Sequence, residues 1–133
     1  MTPTAPELLM GCVTALSTPP AAEDGMVYAA GKIGVVAILN VFAAQEGETG
    51  AAVRAWENAA LRSMLGGAAD VADGDLSLAA LDAVNAELRC RLIRLHEEAE
   101  DAGDHAMDRK ILALYREMAA RRLLHLPPSP AAA

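Results

Sequence analysis

The 133-residue chain is 53% hydrophobic but only 3% aromatic, and it carries a formal net charge of −7. That charge argues against a nucleic-acid binder, which needs a Lys/Arg surface for the phosphate backbone, and it disfavours an anionic membrane surface. The length suits one domain with a real core, and an interior of Ala, Leu, Val and Met favours helix-on-helix packing over a β-sandwich.

Residues 1–5 read as loose. Pro6 suits a first helical turn, with Thr4 as its cap and Glu7 near the positive end of the helix dipole. Leu8, Leu9, Cys12, Val13 and Leu16 recur at helical spacing, predicting a short helix with one buried face that stops at Ser17-Thr-Pro-Pro20. The start Met1-Thr-Pro-Thr-Ala-Pro6 shows no basic segment and no long apolar segment of a secretory signal, so the expected location is the cytoplasm.

Gly25 to Ala44 is the most apolar stretch, opened by Glu23 and Asp24 and about as long as a membrane span. Lys32 lies near its middle, which would oppose insertion by roughly 2.5–3.5 kcal/mol, and acidic rather than basic residues flank it. The expectation is a long, mostly buried second helix at the centre of a soluble bundle. Ala30, Gly34, Ala37 and Val41, with Gly31 beside them, would let neighbouring helices approach closely.

Glu46-Gly-Glu-Thr-Gly50 reads as a break. A third helix would then place Val53, Trp56, Ala60, Leu61, Met64 and Leu65 on one side and Arg54, Glu57, Asn58 and Arg62 mostly on the other, ending at Gly66-Gly67. Residues 66–75 read as a mobile acidic loop. Asp75 or Ser77 would cap a fourth helix with the best amphipathic stripe of the chain, Leu78, Leu81, Leu88, Leu92 and Leu95 with Val84 alongside. Acidic residues Glu97 to Asp101 stand at the wrong end of that helix dipole, predicting fraying or a turn around Ala102-Gly103. Asp104 would cap a fifth helix bearing Met107, Ile111, Leu114, Tyr115 and Met118, with Arg116, Arg121 and Arg122 at its cation-favouring end. The predicted fold is all-α: a single-domain up-and-down bundle of about five helices over residues 1–126, followed by a disordered Pro/Ala tail over 127–133.

No catalytic machinery is visible. Ser17, Ser63 and Ser77 lie at helix edges or caps with no Gly-x-Ser-x-Gly. Cys90 and His96 are off each other's helical face. Cys12 and Cys90 fall on separate helices without metal spacing and read as small buried apolar groups in a reducing compartment. Gly31-x-x-Gly34 follows no strand, so it reads as packing and not as a phosphate loop. Glu97, Asp101 and His105 would share a face only on an unbroken helix, and no Glu-x-x-His pair accompanies them. The reading is a solvated acidic turn, with no metal and no cofactor expected.

Two polar features are the candidate ligand- or interface-facing sites. Tyr28 and Lys32 are one turn apart on the second helix, with Asn40 on a neighbouring edge. Buried, Lys32 requires a carboxylate or a route to solvent along its stem. Arg91 and Arg94, with Arg116 on the next helix, would either hold an anion or pair with Glu87, Glu98 and Glu117.

Pro3-x-x-x-Glu7-Leu-Leu9, the small-residue-rich second helix, Asn85-Ala-Glu-Leu-Arg-Cys-Arg-Leu-Ile-Arg94 and a last helix ending before proline together resemble an uncharacterised family. Its members are short all-helical bacterial proteins often encoded beside aminoglycoside-phosphotransferase-like kinases and acyl-CoA dehydrogenases. The resemblance implies a metabolic neighbourhood and no activity. The chain departs from it in the second helix, where Ala29 to Val41 is almost wholly apolar and that family tends to be basic and polar. The leading expectation is therefore a bundle acting by protein–protein contacts, as a homodimer or as an accessory subunit of a metabolic enzyme. The alternatives are a bundle binding an acyl chain or acyl thioester and, behind it, a metal-dependent enzyme.

Overall fold

The computed structural model describes residues 3–17, 25–67 and 74–126. They form α1 (Ala5–Ser17), α2 (Gly25–Met64), α3 (Leu78–Asp101) and α4 (His105–Arg121), with no strand among the described residues. The predicted proline break after Ser17, the interior of the 66–75 loop and the 127–133 tail lie outside the described residues.

The ends of these helices follow from local chemistry. Thr4 precedes α1, and Glu7 reaches back to accept from its backbone N–H at 2.7 Å and its hydroxyl at 2.9 Å. This is the return half of a capping box. Ser77 caps α3 by accepting from Ala80 N–H at 3.3 Å, while its own N–H donates to Asp75 at 2.8 Å. Asp104 caps α4 through Ala106 and Met107 N–H. Gly66 (φ 75°) and Gly103 (φ 66°) end α2 and α3 in the left-handed region. The next N–H closes each helix onto the carbonyl five residues back, Gly67 to Arg62 and Asp104 to Ala99, both at 2.8 Å.

The predicted second and third helices are one 40-residue helix, so four helices stand where about five are predicted. Glu46-Gly-Glu-Thr-Gly50 holds no proline to remove a backbone bond, and each interior glycine weakens a helix by only about 0.5–1 kcal/mol. Side-chain bonds remain within the helix: Thr49 Oγ1 donates to Gln45 O and Arg54 Nη1 to Gly50 O, each at 3.0 Å.

The chain divides into two compact units, one of residues 1–49 with 124–133, the other of residues 50–123. In the first, α1 meets α2 through Leu8 and Cys12, which are buried with Val36 and Ala43. The Cys12 thiol lies 3.8 Å from Val36 O and 3.8 Å from Asn40 Oδ1. Leu9, Val13 and Leu16, expected on the buried face of α1, are exposed. An apolar helix of 13 residues against a single neighbour has apolar sides left over. The carboxamide of Gln45 joins the segment after α4, donating to His125 O at 2.8 Å and accepting His125 N–H at 2.9 Å.

The second unit is a three-helix bundle of the C-terminal part of α2 with α3 and α4. Leu61, Leu88, Leu92, Ile111, Leu114 and Met118 form its buried core, lined by Trp56, Met64, Val84, Leu95, Met107 and Tyr115. The stripes of α3 and α4 fall where their spacing predicts. Both cysteines are free, but Cys90 is exposed and only Cys12 is buried.

Leu92→Ala removes a fully buried side chain from the bundle core and is expected to lower unfolding free energy by about 2–5 kcal/mol. Gly47→Ala meets nothing within 4 Å and is expected to raise it by about 0.5–1 kcal/mol. Urea denaturation followed by circular dichroism measures both.

Candidate functional site

The bundle interior holds a polar layer that hydropathy spacing alone does not suggest. Arg54, Glu57 and Asn58 are buried, not on the solvent side of their helix. They precede Leu61 by seven, four and three residues, so they share its face on a 3.6-residue period. Asn85 likewise sits four residues after Leu81 and three before Leu88, inside the leucine stripe of α3, and is also buried. A polar residue at a core register position is the signal that could have revealed the layer.

Glu57, with a side chain 0% exposed, is the hub. Arg122 Nε donates to its Oε1 at 2.7 Å and Nη2 to its Oε2 at 2.6 Å, a two-pronged pair. Asn85 Nδ2 donates to Glu57 Oε2 and to Asn58 Oδ1, each at 3.0 Å. Asn58 Nδ2 passes the chain on to Leu81 O at 3.2 Å. Arg89 Nη2 stands 3.6 Å from Glu57 Oε2, and Arg54 Nε donates to Asp82 at 2.6 Å. Each carboxylate thus faces fixed guanidinium donors, the condition under which a buried charge is tolerated. The arrangement ties α2, α3 and the end of α4 together.

The sequence-predicted site residues do not join this layer. Tyr28 and Lys32 do pair, with Nζ 5.9 Å from the ring centroid, at the far reach of a cation–π contact. Asn40 is exposed and faces the Cys12 thiol. Arg91 pairs with Glu87 one turn away at 2.6 Å, the surface alternative. Arg94 and Arg116 are exposed, and Glu117 pairs with Arg121 rather than Arg116. Glu97, Asp101 and His105 are separated by the end of α3 at Asp101 and the turn at Ala102 and Gly103. The carboxylates that do converge on an imidazole in this region are those of Glu100 and Asp108, at His96.

The second helix is also not mostly buried. The most apolar 18-residue window of α2 is only 11% buried among the described residues. Met26, Val27, Tyr28, Ile33, Val35 and Ile38 are exposed, as are Leu9, Met10, Val13 and Leu16 of α1. Gly31 and Gly34 face open space: a Cβ at either would meet nothing within 4 Å. These two glycines therefore make no close approach to any other described residue.

Compared with family models, curated proteins and solved structures, the chain matches none.

Arg122→Met strips Glu57 of its principal donor and is expected to lower stability by about 3–5 kcal/mol, whereas Glu57→Leu with Arg122→Met is expected to regain most of that loss. Chemical denaturation of the single and double variants gives the comparison.

Proposed function

We propose that this chain acts through protein contacts and that its partner is a second copy, joined through the apolar surface of α1 and the first part of α2. The observation that carries the reading is the array of exposed large apolar side chains on those helices. Isolated exposed hydrophobes are ordinary, but a contiguous apolar surface marks an interaction site. The open glycines support helix-to-helix contact in particular. Gly31 and Gly34 weaken α2 by about 0.5–1 kcal/mol each, and no contact among the described residues explains them. A neighbouring helix from another copy would use the shallow surface they leave. The polar layer of the bundle, in this reading, holds the second unit in one register and does no chemistry.

A second reading, that the same segment crosses a bilayer, has its own observation: α2 is long and apolar enough to span one. Lys32 and the acidic Glu46 and Glu48 on that helix weigh against it.

Sedimentation equilibrium of the purified chain without detergent is expected to give a dimer mass. Ile38→Lys and Gly34→Leu are each expected to shift the population to monomer without loss of helix content. A monomer at every soluble concentration would refute self-association, and flotation with neutral phosphatidylcholine vesicles would favour the bilayer.

A further inference from the structure

At the turn between α3 and α4, one imidazole and two carboxylates from different helices point at a common place. His96 and Glu100 are one turn apart on α3, and Asp108 lies in the first turn of α4. His96 Nε2 is 2.9 Å from Asp108 Oδ1 and 3.9 Å from Glu100 Oε1, and the three ligand atoms all lie within 4.8 Å of one another. Atoms bound to one metal ion at about 2.0–2.2 Å stand roughly 3–3.5 Å from each other. Small side-chain rotations would therefore bring this set around an ion, with no backbone movement.

The hydrogen bond from His96 accounts for Asp108 alone. A single ring nitrogen cannot serve both oxygens, and Glu100 is beyond hydrogen-bond distance. The surroundings are unusual in charge as well. The last turn of α3 has no basic residue, although a helix C-terminus carries negative partial charge and favours cations. Glu97, Glu98 and Asp101 add to that charge on the same segment. The imidazole is also held in place: its side chain is 18% exposed, and its ring rests against Tyr115 at 5.8 Å between centroids, tilted by 57°.

We infer that His96, Glu100 and Asp108 form a three-ligand site for a divalent first-row transition ion of the zinc type, with water completing the coordination. The mixed nitrogen and oxygen donors select this class over Mg²⁺ and Ca²⁺, which favour all-oxygen sites. The i, i+4 spacing of His96 and Glu100 puts two ligands on one helical face, and the third comes from the next helix. A bound ion thus fastens α3 to α4. The site is independent of the proposed self-association surface.

The test is calorimetric titration of the full-length chain with Zn²⁺, repeated with Co²⁺ followed by its visible absorption and with Mg²⁺ as a control. One Zn²⁺ per chain, a Co²⁺ spectrum abolished by competing Zn²⁺ and no competition by Mg²⁺ are expected. His96→Ala and Glu100→Gln are each expected to weaken Zn²⁺ binding by at least the roughly 10–100-fold that loss of an outer-shell partner causes. His105→Ala, adjacent but outside the set, is expected to leave binding unchanged, and Glu97→Gln, which removes a nearby charge and no ligand, to weaken it far less than Glu100→Gln. Glu100 is 65% exposed, so its variant reports on binding even where His96→Ala disturbs the fold. Absence of saturable Zn²⁺ binding, equal competition by Mg²⁺, or binding unaffected by Glu100→Gln would overturn the assignment.

Discussion

The buried carboxylate of Glu57 sets the terms for the second unit. A carboxylate removed from water is expensive unless its oxygens are fully occupied. Here the groups that occupy them arrive from two directions: Arg122 just beyond α4, and Asn85 on α3 with Arg89 of the same helix at 3.6 Å. Leucine contacts alone tolerate sliding, because one apolar side chain fits a neighbouring gap nearly as well as another. The two-pronged Arg122 pair and the Asn85 bridge have no such tolerance. They permit one rotation and one height for each helix, in the manner of buried polar residues that fix register in helical assemblies.

The first unit is governed by the opposite deficit. Among its described residues the buried ones, Leu8, Cys12, Val36, Ala43 and Glu46, are few and mostly small. The remaining apolar surface of α1 and α2 is exposed among the described residues. Two units of the same polypeptide thus solve different problems, one burying a carboxylate against guanidinium and amide donors and the other leaving apolar side chains exposed.

How much of this the sequence revealed depended on how local the cause was. Capping by Ser77 and Asp104 and the stops at Gly66 and Gly103 involve residues within a turn of each other, and all were legible. So were the α3 and α4 stripes, since Leu81, Leu88, Leu92, Ile111, Leu114 and Met118 follow a regular period. The glycines near residue 50 suggested a break because propensity counts their cost, while the Thr49 and Arg54 bonds inside the helix were invisible to it. Burial was the least legible property. Charge assigned Arg54 and Glu57 to solvent, and apolarity assigned residues 25–44 to the core. Both assignments depend on which neighbour is present, which in a single chain is a long-range fact: Glu57 finds Arg122 sixty-five residues away. His96, Glu100 and Asp108 were missed for the same reason, since a turn lies between the third ligand and the first two.

The Gln45 clasp on residue 125 has a consequence of a different kind. Its two bonds go to the backbone N–H and carbonyl of His125, so the carboxamide stands in for a strand neighbour and reads the main chain alone. The imidazole at that position takes no part and is exposed. The position is therefore nearly blind to side-chain identity while being strict about chain geometry. Nineteen of the twenty amino acids present the N–H the clasp requires, and proline is the one that does not. At Gln45 the demand is reversed, because only an amide of that length offers a donor and an acceptor side by side. The constraint that joins the two residues thus falls almost wholly on one of them.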